Sequence, residues 1–240
     1  MDFKFTTIKT RVVRLPKDEI WDILDDLPRL ENGDIVFITS KILAIHQGRT
    51  LSVGAMDKVE LIKKEADRYL SYRHPLGFNV NLTIKDNILI PAAGIDLSNA
   101  DKHYVMWPEN VDALCREIRE YLCKKNGIAD LGVISTDSHT TPLRYGVVGI
   151  TTGLAGVEPV KDIRGNKDLF GKKIEVTQVN QVDALSAMAV LLMGECDERT
   201  PIVLLRGYEN IVFNAEASMK DFSIEPEVDL YSPLLAVFEK

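Results

Sequence analysis

The sequence predicts an α+β fold in which hairpins and helices are mixed along the chain. Residues 80–90 (VNLTIKDNILI) contain two short apolar runs on either side of an Asp-Asn turn, which is the pattern of a β-hairpin. Residues 110–127 carry an apolar stripe opposite charged residues and end in Asn-Gly, which predicts an amphipathic helix. Because strands and helices do not alternate regularly, this class is favoured over a doubly wound sheet. We expect one domain over residues 1–240, with no clear linker between its lobes.

The spacing of apolar residues predicts the remaining elements. Helices are expected where apolar residues recur every three or four positions, and strands where they form short compact runs. The predicted helices span residues 18–27, 59–72 and 182–193, and the predicted strands span residues 34–40, 131–135, 173–178 and 201–205. The last of these helices is apolar on nearly all sides, so we expect it to be buried.

The composition is that of an ordinary globular protein, with 45% hydrophobic and 27% charged residues. The net charge of -7 disfavours nucleic acid as the main partner, because phosphate backbones are bound by clustered Lys and Arg. The N-terminus lacks an apolar signal core and no apolar run reaches membrane-span length, so we expect a cytoplasmic protein without membrane association. Cys115, Cys123 and Cys196 show no metal-ligand spacing and are expected to be free thiols.

Two loops of small polar residues carry carboxylates directly after apolar, strand-like runs. Asp96 lies in residues 94–99 (GIDLSN), and Asp137 lies in residues 135–141 (STDSHTT). Hard divalent cations take oxygen ligands, so two such loops that meet in space could hold a cation against phosphate oxygens. The alternative for each loop is a plain hydrogen-bonded turn, because Ser, Thr, Asn and Asp side chains readily bond their own backbone.

Other candidate residues are open to two interpretations each. Lys41, after the first predicted strand, could contact a triphosphate or be merely solvated. Glu195 could be a third carboxylate for the cation or a plain charge at a helix end, where an acid is mildly disfavoured. His139 could act as a base or be incidental, and Arg144 supplies a cation in a glycine-containing loop. The chain has no GxxxxGK[ST], GxGxxG or GxSxG motif, so the familiar phosphate loops and the nucleophile elbow are absent from the sequence.

Taken together, these segments resemble the F420-0:gamma-glutamyl ligases, a family that adds glutamate to the deazaflavin coenzyme F420. The resemblance is carried by residues 34–41, Gly48-Arg49, residues 93–99 (AGIDLSN), Thr136-Asp137, residues 149–171, residues 183–185, residues 192–195 and Arg206-Gly207. It implies the mixed α+β fold particular to these ligases, an intertwined homodimer, GTP as the nucleotide and Mg2+ or Mn2+ as the metal.

The resemblance also implies roles for individual residues. The family's metal-binding positions fall on Asp96, Asp137, Ser138 and Glu195. Its nucleotide contacts fall on Ser40, Lys41, Asn99, Met193, Gly194 and Glu195. Asp96, Asp137 and Arg144 are the residues expected to take part in catalysis.

The chain departs from the family's usual Asp-Thr-x-Gly-Arg-x-x-Arg-x-Gly motif, because Thr140 and Thr141 replace its Gly and first Arg. An arginine fork suits anionic oxygens, so its loss leaves the acceptor open. The expected reaction is GTP-dependent addition of L-glutamate to F420-0 through an acyl phosphate. The alternatives are glutamylation of a folate by the same chemistry and a non-catalytic sensor that binds nucleotide or metal.

Overall fold

The structure is a computed structural model and describes residues 2–239. The helices are α1 (Trp21–Asp25), α2 (Ser40–Gln47), α3 (Lys58–Glu65), α4 (Val111–Asn126), α5 (Gln181–Met193) and α6 (Ser232–Leu235). The strands are β1 (Lys4–Ile8), β2 (Asp34–Thr39), β3 (Thr50–Ser52), β4 (Arg68–Arg73), β5 (Asn79–Lys85), β6 (Ile88–Pro91), β7 (His103–Val105), β8 (Leu131–Thr140), β9 (Val147–Val157), β10 (Val160–Asp162), β11 (Gln178–Asn180), β12 (Ile202–Arg206) and β13 (Phe213–Asn214). The mixed α+β class expected from the sequence is confirmed.

A six-stranded sheet in the order β1-β12-β2-β8-β9-β13 forms the centre of the molecule. Its neighbours are antiparallel except for β2 and β8, which run parallel. Successive side chains of β8 point to opposite faces, so Val133 packs with α4 on one side and Ile134 packs with α5 on the other. Helices therefore cover both faces of the sheet and hold the parallel strand pair in the core.

A second region, residues 50–105, lies between α2 and α4 in the chain. It contains the three-stranded sheet β4-β5-β6 and the two-stranded ribbon β3-β7. The hairpin β5-β6 confirms the sequence prediction, and its turn residues Asp86 and Asn87 both have positive φ, as a tight hairpin turn requires. The strand β6 leads through a 3-10 turn (Ala92–Gly94) to Asp96. The carboxylate of Asp96 lies beside Lys41 of α2, the helix that follows β2 of the large sheet.

Several other predictions are confirmed. The structure contains the predicted helices α4 and α5 and the predicted strands β2 and β12. The helix α5 is less buried than expected, because Leu191 is 74% exposed and Met188 and Leu192 are also exposed. The three cysteines are free thiols, as expected. Within residues 2–239, no helix combines the length and apolar character needed to cross a membrane.

Two helix predictions were partly wrong. The helix expected over residues 59–72 ends at Glu65, and its second half forms β4, which contains two tyrosines and pairs along its whole length with β5. The helix expected over residues 18–27 is reduced to α1, because the Asp18 carboxylate closes a loop by accepting bonds from Arg11 and from the Arg14 backbone N–H.

The strand predictions also need correction. Residues 173–178 lie largely outside strands, and most of their side chains are exposed. Lys173 forms an isolated bridge with Lys167, and Gln178 is the first residue of β11. The strand expected over residues 34–40 ends at Thr39, because α2 begins at Ser40. The long strand β9 was not predicted, since its glycines weaken the strand pattern. At one of them, Gly149, the backbone carbonyl of Ser186 and the side chain of Val190, both on α5, lie so close that a Cβ would overlap them.

Candidate active site

The candidate site begins where the parallel strands β2 and β8 separate. Thr39 and Thr136 are the last paired residues of the two strands, so the next residues, Ser40 and Asp137, emerge side by side. Beyond this point β2 turns into α2, whereas β8 continues as an antiparallel partner of β9. The Ser40 hydroxyl donates a hydrogen bond to Oδ2 of Asp137 at 3.1 Å. Topology therefore brings together two predicted site residues that are 97 positions apart.

Asp137 is held by three neutral donors. Its Oδ2 accepts from the Ser40 hydroxyl and from the indole N–H of Trp107, and its Oδ1 accepts from the Ser138 backbone N–H at 2.7 Å. Burial raises the pKa of Asp137 to about 6, and the three hydrogen bonds oppose only part of that rise. This carboxylate is consequently costly to ionise in the absence of a nearby positive charge.

Asp96 has different surroundings in the adjacent loop. Its Oδ1 accepts from the backbone N–H groups of Leu97 and Ser98 at 2.6 and 2.7 Å, and its Oδ2 lies 2.5 Å from Nζ of Lys41. Burial alone would raise the pKa of Asp96, but the bonds from Lys41 and Ser98 outweigh it and the pKa is lowered. Asp96 is therefore ionised at neutral pH, with Lys41 as its counter-ion.

The two carboxylates interact electrostatically. The charge of Asp96 contributes to the raised pKa of Asp137, which is expected only for carboxylates that lie near each other. Two neighbouring carboxylates, of which one has no cationic partner within residues 2–239, form a donor set suited to a hard divalent cation. Ser138 follows Asp137 on β8 opposite Gly149, and its backbone N–H is the group that contacts Oδ1 of Asp137. The metal role of the Ser138 hydroxyl stays a prediction.

The loop after α5 packs against the Asp96 loop. The side-chain amide of Asn99 donates to the backbone carbonyl of Cys196 at 2.7 Å, and the Thr200 hydroxyl donates to the carbonyl of Met193 at 2.6 Å. Gly194 has φ 78° and ψ 173°, and a Cβ there would overlap the carboxylate of Glu198. Asn99 is thus hydrogen-bonded directly to the loop that follows Met193, Gly194 and Glu195, the other residues expected to contact nucleotide on this side.

Two predicted site residues are not brought to the two aspartates. The Glu195 side chain is exposed, and across residues 2–239 no three acidic, His or Cys side chains come close enough to share a metal ion. Arg144 lies in the exposed turn between β8 and β9, where its guanidinium donates to the carbonyl of Leu143 at 3.0 Å. The metal role of Glu195 and the catalytic role of Arg144 stay predictions.

Sequence reasoning missed Trp107, which contacts Asp137 directly. In the sequence Trp107 ends the apolar run that begins in β7, which is the pattern of an ordinary core residue. The only hint is Gly94 in the AGID segment, because a Cβ at that position would overlap the indole. His139, the next candidate along β8, is half-buried, and burial lowers its pKa, so its imidazole is neutral at neutral pH.

Comparison with known proteins assigns the chain to a family. The sequence profile described as F420-0:Gamma-glutamyl ligase matches residues 7–207, which is most of the chain. The chain belongs to the F420-0:gamma-glutamyl ligase family. The match includes the strands β2 and β8, both candidate carboxylates and the loop after α5, so every part of the candidate site lies inside the family region.

Named relatives of this ligase family match over most of their length. The protein named coenzyme F420:L-glutamate ligase from Methanopyrus kandleri is 31% identical, over 90% of this chain and 92% of its own. The proteins of the same name from Methanocaldococcus jannaschii and Methanothermobacter thermautotrophicus are 32% and 31% identical, over 74% and 84% of this chain and 77% and 86% of their own lengths.

Proposed function

We propose that this protein is a GTP- and divalent-metal-dependent ligase that joins L-glutamate to the coenzyme precursor F420-0 through an acyl phosphate. The observation that carries the proposal is the meeting of Asp96 and Asp137 beside Ser40 and Lys41, in a chain of this ligase family. Relatives that are named coenzyme F420:L-glutamate ligase supply the acceptor and the amino acid in the proposal.

The residues present fit a bound Mg2+ or Mn2+. Asp96 and Asp137 would hold the ion, and Ser138 and Glu195 are the further ligands that the family resemblance implies. The surroundings of Asp137 support this assignment. Its hydrogen-bond donors are neutral and its pKa is raised, so a nearby cation would strongly stabilise its ionised form. A bound ion of this kind neutralises the oxygens of the phosphates during phosphoryl transfer.

The nucleotide is proposed to lie between the start of α2 and the loop after α5. Ser40 is the first residue of α2, where free backbone N–H groups favour anions, and Lys41 adds a full positive charge. When GTP binds, Lys41 would exchange the Asp96 carboxylate for a phosphate oxygen. Asn99, Met193, Gly194 and Glu195 are the proposed contacts on the other side of the nucleotide.

The proposed chemistry needs positioning and charge neutralisation more than a protein nucleophile. A carboxylate oxygen of the acceptor attacks the γ-phosphorus of GTP, and GDP leaves as the bond to the bridging oxygen breaks. The amine of L-glutamate then attacks the acyl carbon, and inorganic phosphate leaves as the amide forms. Arg144 is the proposed cation for the anionic acceptor.

We further propose that the active form is an intertwined homodimer. The turn between β8 and β9 displays apolar side chains to solvent, and Leu143 is 95% exposed. The outer stripe of α5, which includes Leu191, is also exposed. Exposed apolar groups of this extent are typical of surfaces that a partner covers, and a second copy would enclose Arg144 together with them.

The identity of the acceptor is tested by mass spectrometry of products. The purified protein is incubated with L-glutamate, Mn2+, GTP or ATP, and either F420-0 or dihydrofolate. The proposal predicts that F420-0 gains the mass of one or more glutamyl residues (glutamate less water) and that phosphate is released with GTP. Glutamylation of dihydrofolate instead would support the folate alternative, which the Thr140-Thr141 replacement leaves open. Binding of GTP with no phosphate release for either acceptor would contradict both ligase assignments and favour a sensor.

A further inference from the structure

The indole of Trp107 bonds directly to a carboxylate of the candidate site. Trp107 is 2% exposed, and its Nε1–H donates to Oδ2 of Asp137. We infer that Trp107 is a positioning residue that fixes the Asp137 carboxylate so that Oδ1 is the oxygen presented to a divalent cation. This inference rests on the proposed role of Asp137 as a cation ligand.

The distribution of donors decides which oxygen is available. A carboxylate oxygen accepts about two hydrogen bonds. Oδ2 already accepts from Ser40 and Trp107, whereas Oδ1 accepts from the backbone N–H of Ser138 at 2.7 Å. Oδ2 is consequently filled by side-chain donors, and Oδ1 keeps an acceptor position for a cation. Without the indole N–H, the Ser40 hydroxyl would be the remaining side-chain donor to Oδ2, so the carboxylate would rotate and exchange its two oxygens more readily.

The indole is itself held from the backbone side. The guanidinium of Arg49 donates from Nε to the Trp107 carbonyl at 3.1 Å, and it is ion-paired with Glu65 and, at 2.9 Å, with Glu109. The Arg49 carbonyl accepts from the backbone N–H of Met106 at 3.0 Å. Met106, the residue before Trp107, and the carbonyl of Trp107 itself are therefore both hydrogen-bonded to Arg49.

Close packing restricts the other side of the ring. Gly94 has φ 69°, and a Cβ built there would overlap the indole around Nε1. The ring also belongs to a small cluster of buried side chains with Ile88 and Ile90 of β6. Gly94 thus serves two purposes, since it permits the left-handed turn before Asp96 and lets the indole reach Asp137.

A buried tryptophan also needs a partner for its N–H, so packing alone could explain the contact. The two explanations differ in what the N–H does. If Trp107 only fills the core, an isosteric ring without N–H would leave cation binding unchanged. If it positions Asp137, that ring would weaken cation binding while packing is preserved.

The test uses the full-length protein in a Trp21→Phe background, which leaves Trp107 as the single tryptophan. Trp21 packs against His46 and Tyr121, away from the candidate site, so this background serves as the reference. Trp107 is then replaced by Phe or, through biosynthetic incorporation, by the benzothiophene analogue of tryptophan, which has sulfur where the indole has N–H. The analogue keeps the ring volume, so it remains informative if the Phe variant fails to fold.

Cation binding is measured directly, by the free Mn2+ signal in electron paramagnetic resonance. We expect both replacements to weaken Mn2+ binding by about 10–100-fold, the usual loss when a group that orients a metal ligand is removed. In the reference protein, Tb3+ should show emission sensitised by the indole, and Asp137→Asn should abolish it. Mn2+ affinity within twofold of the reference for the analogue, or sensitised emission that survives Asp137→Asn, would overturn the inference.

These readouts separate this inference from the proposed ligase function. Product formation is measured in parallel with F420-0 and GTP. A reference protein that makes no product yet binds Mn2+ more weakly after either replacement would refute the ligase proposal and support the role of Trp107. A protein that makes product equally well and binds Mn2+ equally well with the analogue would refute only the role of Trp107.

Discussion

Asp96 and Asp137 lie in the same candidate site but in opposite electrostatic surroundings. Asp96 is paired with Lys41, and its pKa is lowered despite burial. Asp137 is surrounded by the neutral donors Ser40, Trp107 and Ser138, and burial raises its pKa to about 6. One carboxylate therefore carries its own counter-ion, while the hydrogen bonds of the other come from neutral donors. In the proposed site, this difference means that Asp137 would set the affinity for the metal and that Asp96 would exchange partners when nucleotide binds.

The largest effect is expected from removing the charge of Asp137. Asp137→Asn should reduce ligase turnover by roughly 10³-fold, because the cation that offsets the phosphate charge loses its main ligand. The rate of phosphate release at saturating GTP measures this effect. Asp26→Asn, at an exposed aspartate that follows α1, is the matched control and should leave turnover unchanged. Turnover within tenfold of the parent would show that Asp137 is not essential.

Removing the counter-ion of Asp96 should have the next largest effect. Lys41→Met should raise the KM for GTP by about 10–100-fold, since a full positive charge near the phosphates is lost. Initial rates over a range of GTP concentrations provide the measurement, with Lys9→Met on the exposed segment after β1 as the control. An unchanged KM would mean that Lys41 serves Asp96 alone and does not reach the nucleotide.

Lowering the pH should weaken cation binding through Asp137. A proton competes with the metal below the folded-state pKa of about 6, so Mn2+ affinity should fall about tenfold between pH 7 and pH 5, with about fivefold of that fall between pH 6 and pH 5. Because this pKa lies above the ordinary value of 3.8, the metal-free protein should also lose stability as the pH rises from 3.8 towards 6. Titrations with Mn2+ at several pH values test the first effect. Affinity that is constant from pH 5 to pH 7 would contradict the assignment of Asp137.

The smallest effect is expected from the hydrogen bond that joins the Asp96 loop to the loop after α5. Asn99→Ala removes the hydrogen bond to the Cys196 carbonyl, which is worth about 1 kcal/mol. The KM for GTP should therefore rise by about fivefold, while the turnover number changes little. Asn79→Ala, at the exposed start of β5, is the control. A drop in turnover with no change in KM would point to a role in catalysis instead of nucleotide binding.

The sequence predicts those parts of the molecule whose patterns are local. The amphipathic period of α4 and the alternation in β5 with its Asp-Asn turn depend on neighbouring residues, and both predictions are confirmed. The strand β9 was missed because Gly149 weakens the local pattern, although close contact with α5 is the reason for that glycine. The second half of the helix predicted over residues 59–72 was wrong because pairing with β5 outweighs helical propensity.

The candidate site shows the same limit. Loop composition and family resemblance pointed to Asp96 and Asp137, and the parallel pairing of β2 and β8 brings Asp137 to Ser40. The bond from Trp107 could not be predicted, because it joins residues 30 positions apart and depends on tertiary packing around Gly94. Glu195 and Arg144 share the family pattern, but their positions relative to the site depend on flanking loops rather than on any local period.

A double-mutant cycle of Mn2+ binding tests most directly whether Asp96 and Asp137 hold the same ion. The dissociation constant is measured for the parent, Asp96→Asn, Asp137→Asn and the double variant. If one ion contacts both carboxylates, each single substitution should weaken binding strongly, and the double variant should bind little more weakly than the worse single variant. Losses that add fully, with a coupling free energy near zero, would show that the two carboxylates act independently and would contradict a shared cation site.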